Sequence, residues 1–320
     1  MSTIDPSPPG TAATLQGRGR VGDRIFSGTA TAAGAVILLM LAAVAMFLVV
    51  EGIPAMTADA DEIPGGKNIA AFVGPLLFGT VFAAVIALVI AAPLAIGIAL
   101  FISHYAPPRV ASTLGYLVDL LAAVPSVVYG LWGIFFLADN LRHVYPWLHD
   151  HLGFLPFFSA QPSTTGRTML TVGIALAVMI MPIMTAVNRE VFLQTPRLQE
   201  EAALALGATK FEMIRMTVLP FSRSGIMSGA MLGLGRAMGE TIAVAMILSA
   251  YPDLVSVGLI GAENSSTVAA NIALKFPEYH GIEVNALIAS GLALFVLTFV
   301  VNFGARAIIA RRSEFSGADA

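Results

Sequence analysis

Three ionisable residues, Asp119, Arg236 and Glu240, fall inside long apolar stretches. One unpaired charge at mid-helix costs about 2.5–3.5 kcal/mol on insertion scales, so such residues must face each other or water. Arg236 and Glu240 stand four residues apart and share a helix face. Asp119 lies in another stretch and is the candidate partner of Arg236 across helices. Two kinds of chemistry fit this triad. It can neutralise itself and pin two helices together. Alternatively, Arg236 is a gated cation on an anion pathway, exchanging its carboxylates for the oxygens of a passing substrate. A guanidinium suits a tetrahedral oxyanion because its fork donates two parallel hydrogen bonds. One cation and two carboxylates leave a net negative charge, which favours transient passage over tight binding.

The elements that position these residues follow from composition. Of 320 residues, 57% are hydrophobic and 12% charged, against about 45–50% and about 25% in an ordinary soluble domain. That excess has nowhere to go in a soluble enzyme, so the chain reads as a polytopic, all-α integral membrane protein. The net charge of −3 offers no basic field for nucleic acid. Without cysteine there is no disulfide framework, Fe–S cluster or thiolate zinc site. His149-Asp150-His151 reads as solvated loop, so no metal site is expected. None of Lys67, Lys210 and Lys275 stands in a phosphate-loop context, so ATP, if used, must be handled by a partner.

Residues 1–27, rich in Pro, Gly, Ser and Thr, read as a disordered cytoplasmic tail. Six spans follow, at about 28–50, 76–103, 110–137, 169–187, 224–250 and 284–309, within a transmembrane domain of 28–311. A short tail of 312–320 closes the chain. The first run is too long for the apolar region of a signal peptide, about 7–15 residues, and is read as retained. Gly74-Pro75 is expected to break the start of the second, and Val124-Pro125 interrupts the third at mid-membrane, where freed carbonyls need protein or water. Gly225, Gly229, Gly233, Gly235 and Gly239 give the fifth span a small-residue face for close helix approach. Twelve of the 17 Lys and Arg residues fall on one side, the side of both tails and of the 188–223 segment, so both termini are expected in the cytoplasm. The acidic 51–62 segment and the 251–283 loop read as solvated surface, and Thr164-Thr165-Gly166-Arg167 as a place where an external protein can touch.

The cytoplasmic segment 195–220 reads as two short helices. Thr195 is the expected N-cap with Pro196 at the first position. Leu198, Ala202, Ala205 and Leu206 form an apolar stripe opposite Arg197, Glu200 and Glu201. Gly207 suits the stop, and Thr209 with Glu212 makes a capping box. An exposed apolar stripe at this face needs a partner surface or lipid.

Glu201-Ala202-Ala203, three residues, Gly207, nine residues, then Thr217-Val218-Leu219-Pro220 resembles the EAA loop of ABC importer permeases; only Thr217 departs, standing where the pattern has Ile. Val124-Pro125-Ser126-Val127-Val128-Tyr129-Gly130-Leu131-Trp132-Gly133 and Gly235-Arg236-Ala237-Met238-Gly239-Glu240-Thr241-Ile242-Ala243-Val244 are similar to stretches of phosphate ABC importer permeases of the PstC type. The resemblance implies a type I importer permease fold in a prokaryotic cell membrane. It implies Arg236, Glu240, Asp119, Thr241 and Ser126 along the translocation pathway. Glu201, Ala202, Ala203, Gly207, Leu219 and Pro220 would couple to the ATPase. Implied partners are a PstA-type permease subunit, two copies of a PstB-type ATPase, which would bind the ATP and Mg, and a PstS-type phosphate-binding protein outside. This chain itself would bind no cofactor and be no enzyme. Two other readings stand beside it: a permease for sulfate or molybdate, and a proton-coupled carrier using Asp119 and Glu240.

Overall fold

The computed structural model describes residues 21–316. They belong to two compact units, one ending at Phe47 and one beginning at Leu48. The expected tail falls largely outside the described residues, as does the end of the 312–320 tail. What is seen of the first tail, from Val21, is already helix.

The helices are α1 (Val21–Thr57), α2 (Ile69–Leu100), α3 (Pro108–Ala122), α4 (Ser126–Trp132), α5 (Tyr145–Leu152), α6 (Met169–Leu193), α7 (Arg197–Ala205), α8 (Lys210–Met213), α9 (Arg223–Met238), α10 (Ile242–Ile247), α11 (Val268–Lys275) and α12 (Ile282–Ser316). Four unbroken helices among the described residues are long and apolar enough to cross a membrane: Gly22–Thr57, Ile69–Tyr105, Met169–Leu193 and Ile282–Ala307. The remaining two expected spans are both broken. The third bends by 90° between Pro108–Ala122 and Ser126–Leu141. The fifth stops at Met238 and resumes at Ile242.

Pro75 does not break α2. The helix starts earlier, at Asn68, whose side chain accepts from the Ala71 N–H at 2.8 Å, and runs through Pro75 and Pro93. Hydrophobic surroundings and neighbouring helices make interior prolines tolerable in such spans. Along α2, Ala84, Ala87, Ala91, Ala95 and Ala99 are fully buried at spacings of three and four, a small-residue seam that admits close helix approach. Most of that seam packs with Val172, Ala175, Leu176, Met179 and Ile180 of α6 in the main core.

The middle of the 251–283 segment is not solvated surface, although its two ends are largely exposed. Ile260, Asn264, Ser265, Ser266, Thr267 and Val268 are buried. Here the chain folds back between helices and the Val268 N–H donates to Thr80 Oγ1 of α2 at 3.0 Å. Asn264 makes this possible by satisfying backbone that would otherwise be orphaned. Its amide donates to the carbonyls of Arg167 and Ser249, at 3.3 and 3.1 Å, and its Oδ1 accepts from the Met169 N–H at 2.9 Å. Arg167 likewise points inward. It donates to the Ile247 and Met246 carbonyls at 3.2 and 3.0 Å, closing the C-terminal end of α10.

Candidate functional site

The two helix breaks meet. α4 packs on α10 through glycines: a Cβ at Gly130 would stand 3.2 Å from the Ala243 Cα, and one at Gly133 would collide with the Ile247 side chain. At the first break, the Tyr129 hydroxyl donates to the Leu121 carbonyl at 3.1 Å, supplying from protein a partner for a carbonyl beside the bend. Ser126 is the first residue of α4 and is half-buried. At the second break, Glu240 Oε1 accepts from the Ala243 N–H at 3.1 Å. A carboxylate there satisfies an orphan donor and sits favourably at the positive end of α10. Thr241 Oγ1 donates to the Gly239 carbonyl at 3.3 Å. The Gly-Glu-Thr sequence therefore stabilises its own interruption.

The expected triad does not assemble. Asp119 is exposed, and its carboxylate pairs with Arg189 of α6 at 3.9 Å. The Arg189 guanidinium lies over Gly115, where any Cβ would strike it. Glu240 is buried and engaged in capping. Arg236 pairs with neither carboxylate, has no ion pair among the described residues, and keeps an Nε that is buried without a hydrogen-bond partner. The i, i+4 spacing was not enough, because Met238 ends the helix before Glu240 and turns that side chain toward α10.

Arg236 lines a cavity of about 560 Å³ together with Ile183 of α6, Ser228 and Gly235 of α9, and Asn302 and Arg306 of α12. The glycine face of α9 divides accordingly. Gly225, Gly229 and Gly233 lie against Val191, Asn188 and Met184 of α6, whereas a Cβ at Gly235 would meet nothing within 4 Å and looks into the cavity. Arg189 and Arg306 escaped sequence reading. Both stand near the ends of charge-poor runs, where an arginine ordinarily reaches for water or headgroups.

The 195–220 segment forms a helical elbow close to expectation. Gly207 adopts φ +88°, and its N–H reaches the Leu204 carbonyl while that of Ala208 reaches Ala203, a complete Schellman stop. Thr209 and Glu212 form both halves of the capping box. The hydrogen bond from Thr209 holds the Glu212 carboxyl below its ordinary pKa. The start differs: Pro196 occupies the N-cap position without a side-chain bond, and the Thr195 hydroxyl is buried with no partner. Glu201, Ala202, Gly207 and Pro220 are exposed, and Ala203 and Leu219 half-buried. Leu198 and Leu206 are 80% and 90% exposed, so the stripe is uncovered within this chain. The opposite face is anchored: Glu200 meets His104 at 3.6 Å, and the Lys210 ammonium stands 4.9 Å over the Tyr105 ring, both at the end of α2.

His149 and His151 use their Nδ1 atoms on the Phe158 and Trp147 carbonyls. Among the described residues no group of three or more His, Cys, Asp or Glu gathers where a metal could sit.

These features agree with what the chain resembles. The model of the family described as "Binding-protein-dependent transport system inner membrane component" matches residues 91–314. The phosphate transport system permease protein PstC 2 of Mycobacterium tuberculosis is 44% identical over 301 residues, covering 90% of this chain and 92% of that one. The phosphate transport system permease protein PstC of Xylella fastidiosa is 35% identical over 329 residues, 99% of each. Among solved structures, a bacterial ABC transporter involved in the import of the acidic polysaccharide alginate aligns with a TM-score of 0.52 at 15% identity, over 90% of this chain and 99% of that one; this likeness concerns the fold. The chain therefore belongs to the family of binding-protein-dependent transport system inner membrane components.

Proposed function

We infer that this protein is the membrane-spanning subunit of an ATP-driven importer of inorganic phosphate, working by alternating access. The observation that carries the reading is Arg236: a guanidinium with a buried, unpartnered Nε on the wall of a cavity, in a chain so close to phosphate transport permeases. An intramembrane cation without a carboxylate partner is costly unless water or an anion meets it. A passing phosphate supplies the oxygens that Asp119 and Glu240, otherwise engaged, do not.

The remaining assignments follow from that reading. Both termini face the cytoplasm, as does the 195–220 elbow. Its uncovered stripe suits the groove of an ATPase subunit, a helix-in-groove mode, with Glu201, Ala202, Ala203, Gly207, Leu219 and Pro220 at or beside the contact. The partners are a PstA-type permease, two PstB-type ATPases carrying ATP and Mg, and a PstS-type binding protein that sets affinity outside. Thr241 serves the pathway by bonding across the second break, and Ser126 stands at the first, at the start of α4. A proton-coupled carrier is disfavoured by Glu240 acting as a helix cap and by Asp119 sharing an ion pair.

The test is labelled-phosphate uptake in a host lacking its own importers, supplied with this chain and its partner subunits, with sulfate and molybdate as competitors. Phosphate uptake indifferent to both supports the reading. Import of sulfate or molybdate instead keeps the machine and changes its cargo. Uptake that survives deletion of residues 200–207 removes the ATPase coupling.

A further inference from the structure

Arg236 is not the only cation on its cavity. Arg306, from the last helix, lines the same space, and no Asp or Glu among the described residues does. Arg306 is exposed, as is Asn302, and among the described residues its side chain has no ion pair or hydrogen bond. The polar companions of the two arginines are Asn302, one turn before Arg306 on α12, and Ser228, two turns before Arg236 on α9. Eight residues separate Ser228 from Arg236, about 12 Å of helix, so the α9 wall runs well beyond the reach of one anion.

We propose that Arg306, with Asn302 and Ser228, forms a second oxyanion station on the cytoplasmic side of Arg236, to which phosphate passes before release. The proposal rests on the phosphate reading above. In that topology α9 enters from the cytoplasm and α12 returns to it. Ser228 then lies nearer the cytoplasm than Arg236, and Arg306 nearer than Asn302. Two guanidiniums sharing one cavity repel each other, and the repulsion is relieved when an anion with several acceptor oxygens stands between them. The amide of Asn302 adds a neutral donor, and the Ser228 hydroxyl, which here donates to the Ser224 carbonyl at 2.9 Å, adds a second when it turns toward the anion. Neutral donors hold the anion less tightly than a charge and let it leave. A pathway needs such spacing, since a single strong cation would hold its cargo. The same chemistry would equally seat the phosphate of an anionic lipid headgroup, because an arginine near a helix end can snorkel to the interface.

The experiment uses the complete assembly in proteoliposomes, made of zwitterionic phosphatidylcholine alone or with anionic phosphatidylglycerol, and reads ATP-driven uptake of labelled inorganic phosphate. Arg306→Gln should lower the maximal rate about tenfold, equivalent to about 1.4 kcal/mol in barrier. The half-saturating phosphate concentration should stay unchanged, and the defect should be the same in both lipid mixtures. Arg306→Lys, which keeps the charge, should recover most of the rate. Wild-type rates for Arg306→Gln in both mixtures overturn the proposal. A defect seen only with phosphatidylglycerol assigns Arg306 to lipid and overturns it too. Equal failure of Gln and Lys variants with loss of subunit co-purification makes Arg306 structural. If wild type itself moves sulfate rather than phosphate, the cargo reading fails, and the Gln-to-Lys comparison on sulfate then decides the station separately.

Discussion

Two arginines of this chain, Arg189 and Arg236, occupy opposite situations. Arg189 reaches across from α6 to Asp119 of α3 and lies over Gly115, so both its charge and its volume are accommodated by one neighbouring helix. Arg236 has no such neighbour. Its helix stops two residues later, its nearest carboxylate in sequence caps the next helix, and its side chain borders open space. The difference teaches how to separate a cation that joins helices from one kept available. Each keeps a buried Nε without a hydrogen-bond partner, so what separates them is that the first has a fitted groove and a counter-ion, whereas the second has a cavity and no counter-ion among the described residues.

The sharpest way to break this comparison is to neutralise each in turn. Arg236→Gln should reduce phosphate uptake about a hundredfold, the scale of losing one donor aimed at an oxyanion, while the subunits still co-purify. Arg189→Gln should leave uptake per assembled complex near wild type and cost about 0.2–1 kcal/mol of stability, as for a partly exposed ion pair. The reverse pattern would exchange their roles. Gly133→Val comes next. Its side chain must displace Ile247, so thermal unfolding in detergent should reveal a loss of about 1–3 kcal/mol, and the broken-helix pair that flanks Arg236 should loosen. Smaller again is Glu240. Glu240→Ala removes the acceptor for the Ala243 N–H and should cost about 1 kcal/mol, whereas Glu240→Gln keeps an acceptor and should keep that stability. An uptake defect confined to the Gln variant's rate would then show that the carboxylate's charge also matters to Arg236.

The smallest expected effect lies in the elbow. The lowered pKa of Glu212 means the capping interaction is fully present above the unfolded value and is lost as pH falls through the folded one. Amide exchange at Thr209 should therefore accelerate only in acid below the ordinary carboxylate range, and Glu212→Gln should remove that pH dependence. Unchanged acid behaviour in the variant would dissociate the box from the charge.

How much was legible depended on distance along the chain. The elbow was readable almost residue by residue, because Gly207, Thr209 and Glu212 act on backbone within four positions of themselves. Only its entry was misread, since Thr195 turned inward and left Pro196 at the boundary. The interruption at Val124-Pro125 was readable for the same local reason. The second interruption was not, because Gly239-Glu240-Thr241 carries no proline, and its helix ends when a side chain captures the next helix's N–H. The Arg236–Asp119 pair failed because charge spacing says nothing of which helix faces which. The middle of the 251–283 loop was misjudged because its burial depends on one amide, Asn264, reaching carbonyls far away in sequence.

By itself, the sequence determined that the chain is a largely helical membrane protein and that the 195–220 elbow carries an apolar stripe. Those properties follow from composition, from apolar run length and from hydrogen bonds closed within a turn. Only the tertiary structure decided that Asp119 belongs to Arg189, that Glu240 belongs to α10, and that Arg236 shares a cavity with Arg306. Each of these is a choice among charges of similar reach, and it is made by the packing of helices, through close approaches such as those at Gly115 and Gly133, which no local pattern encodes.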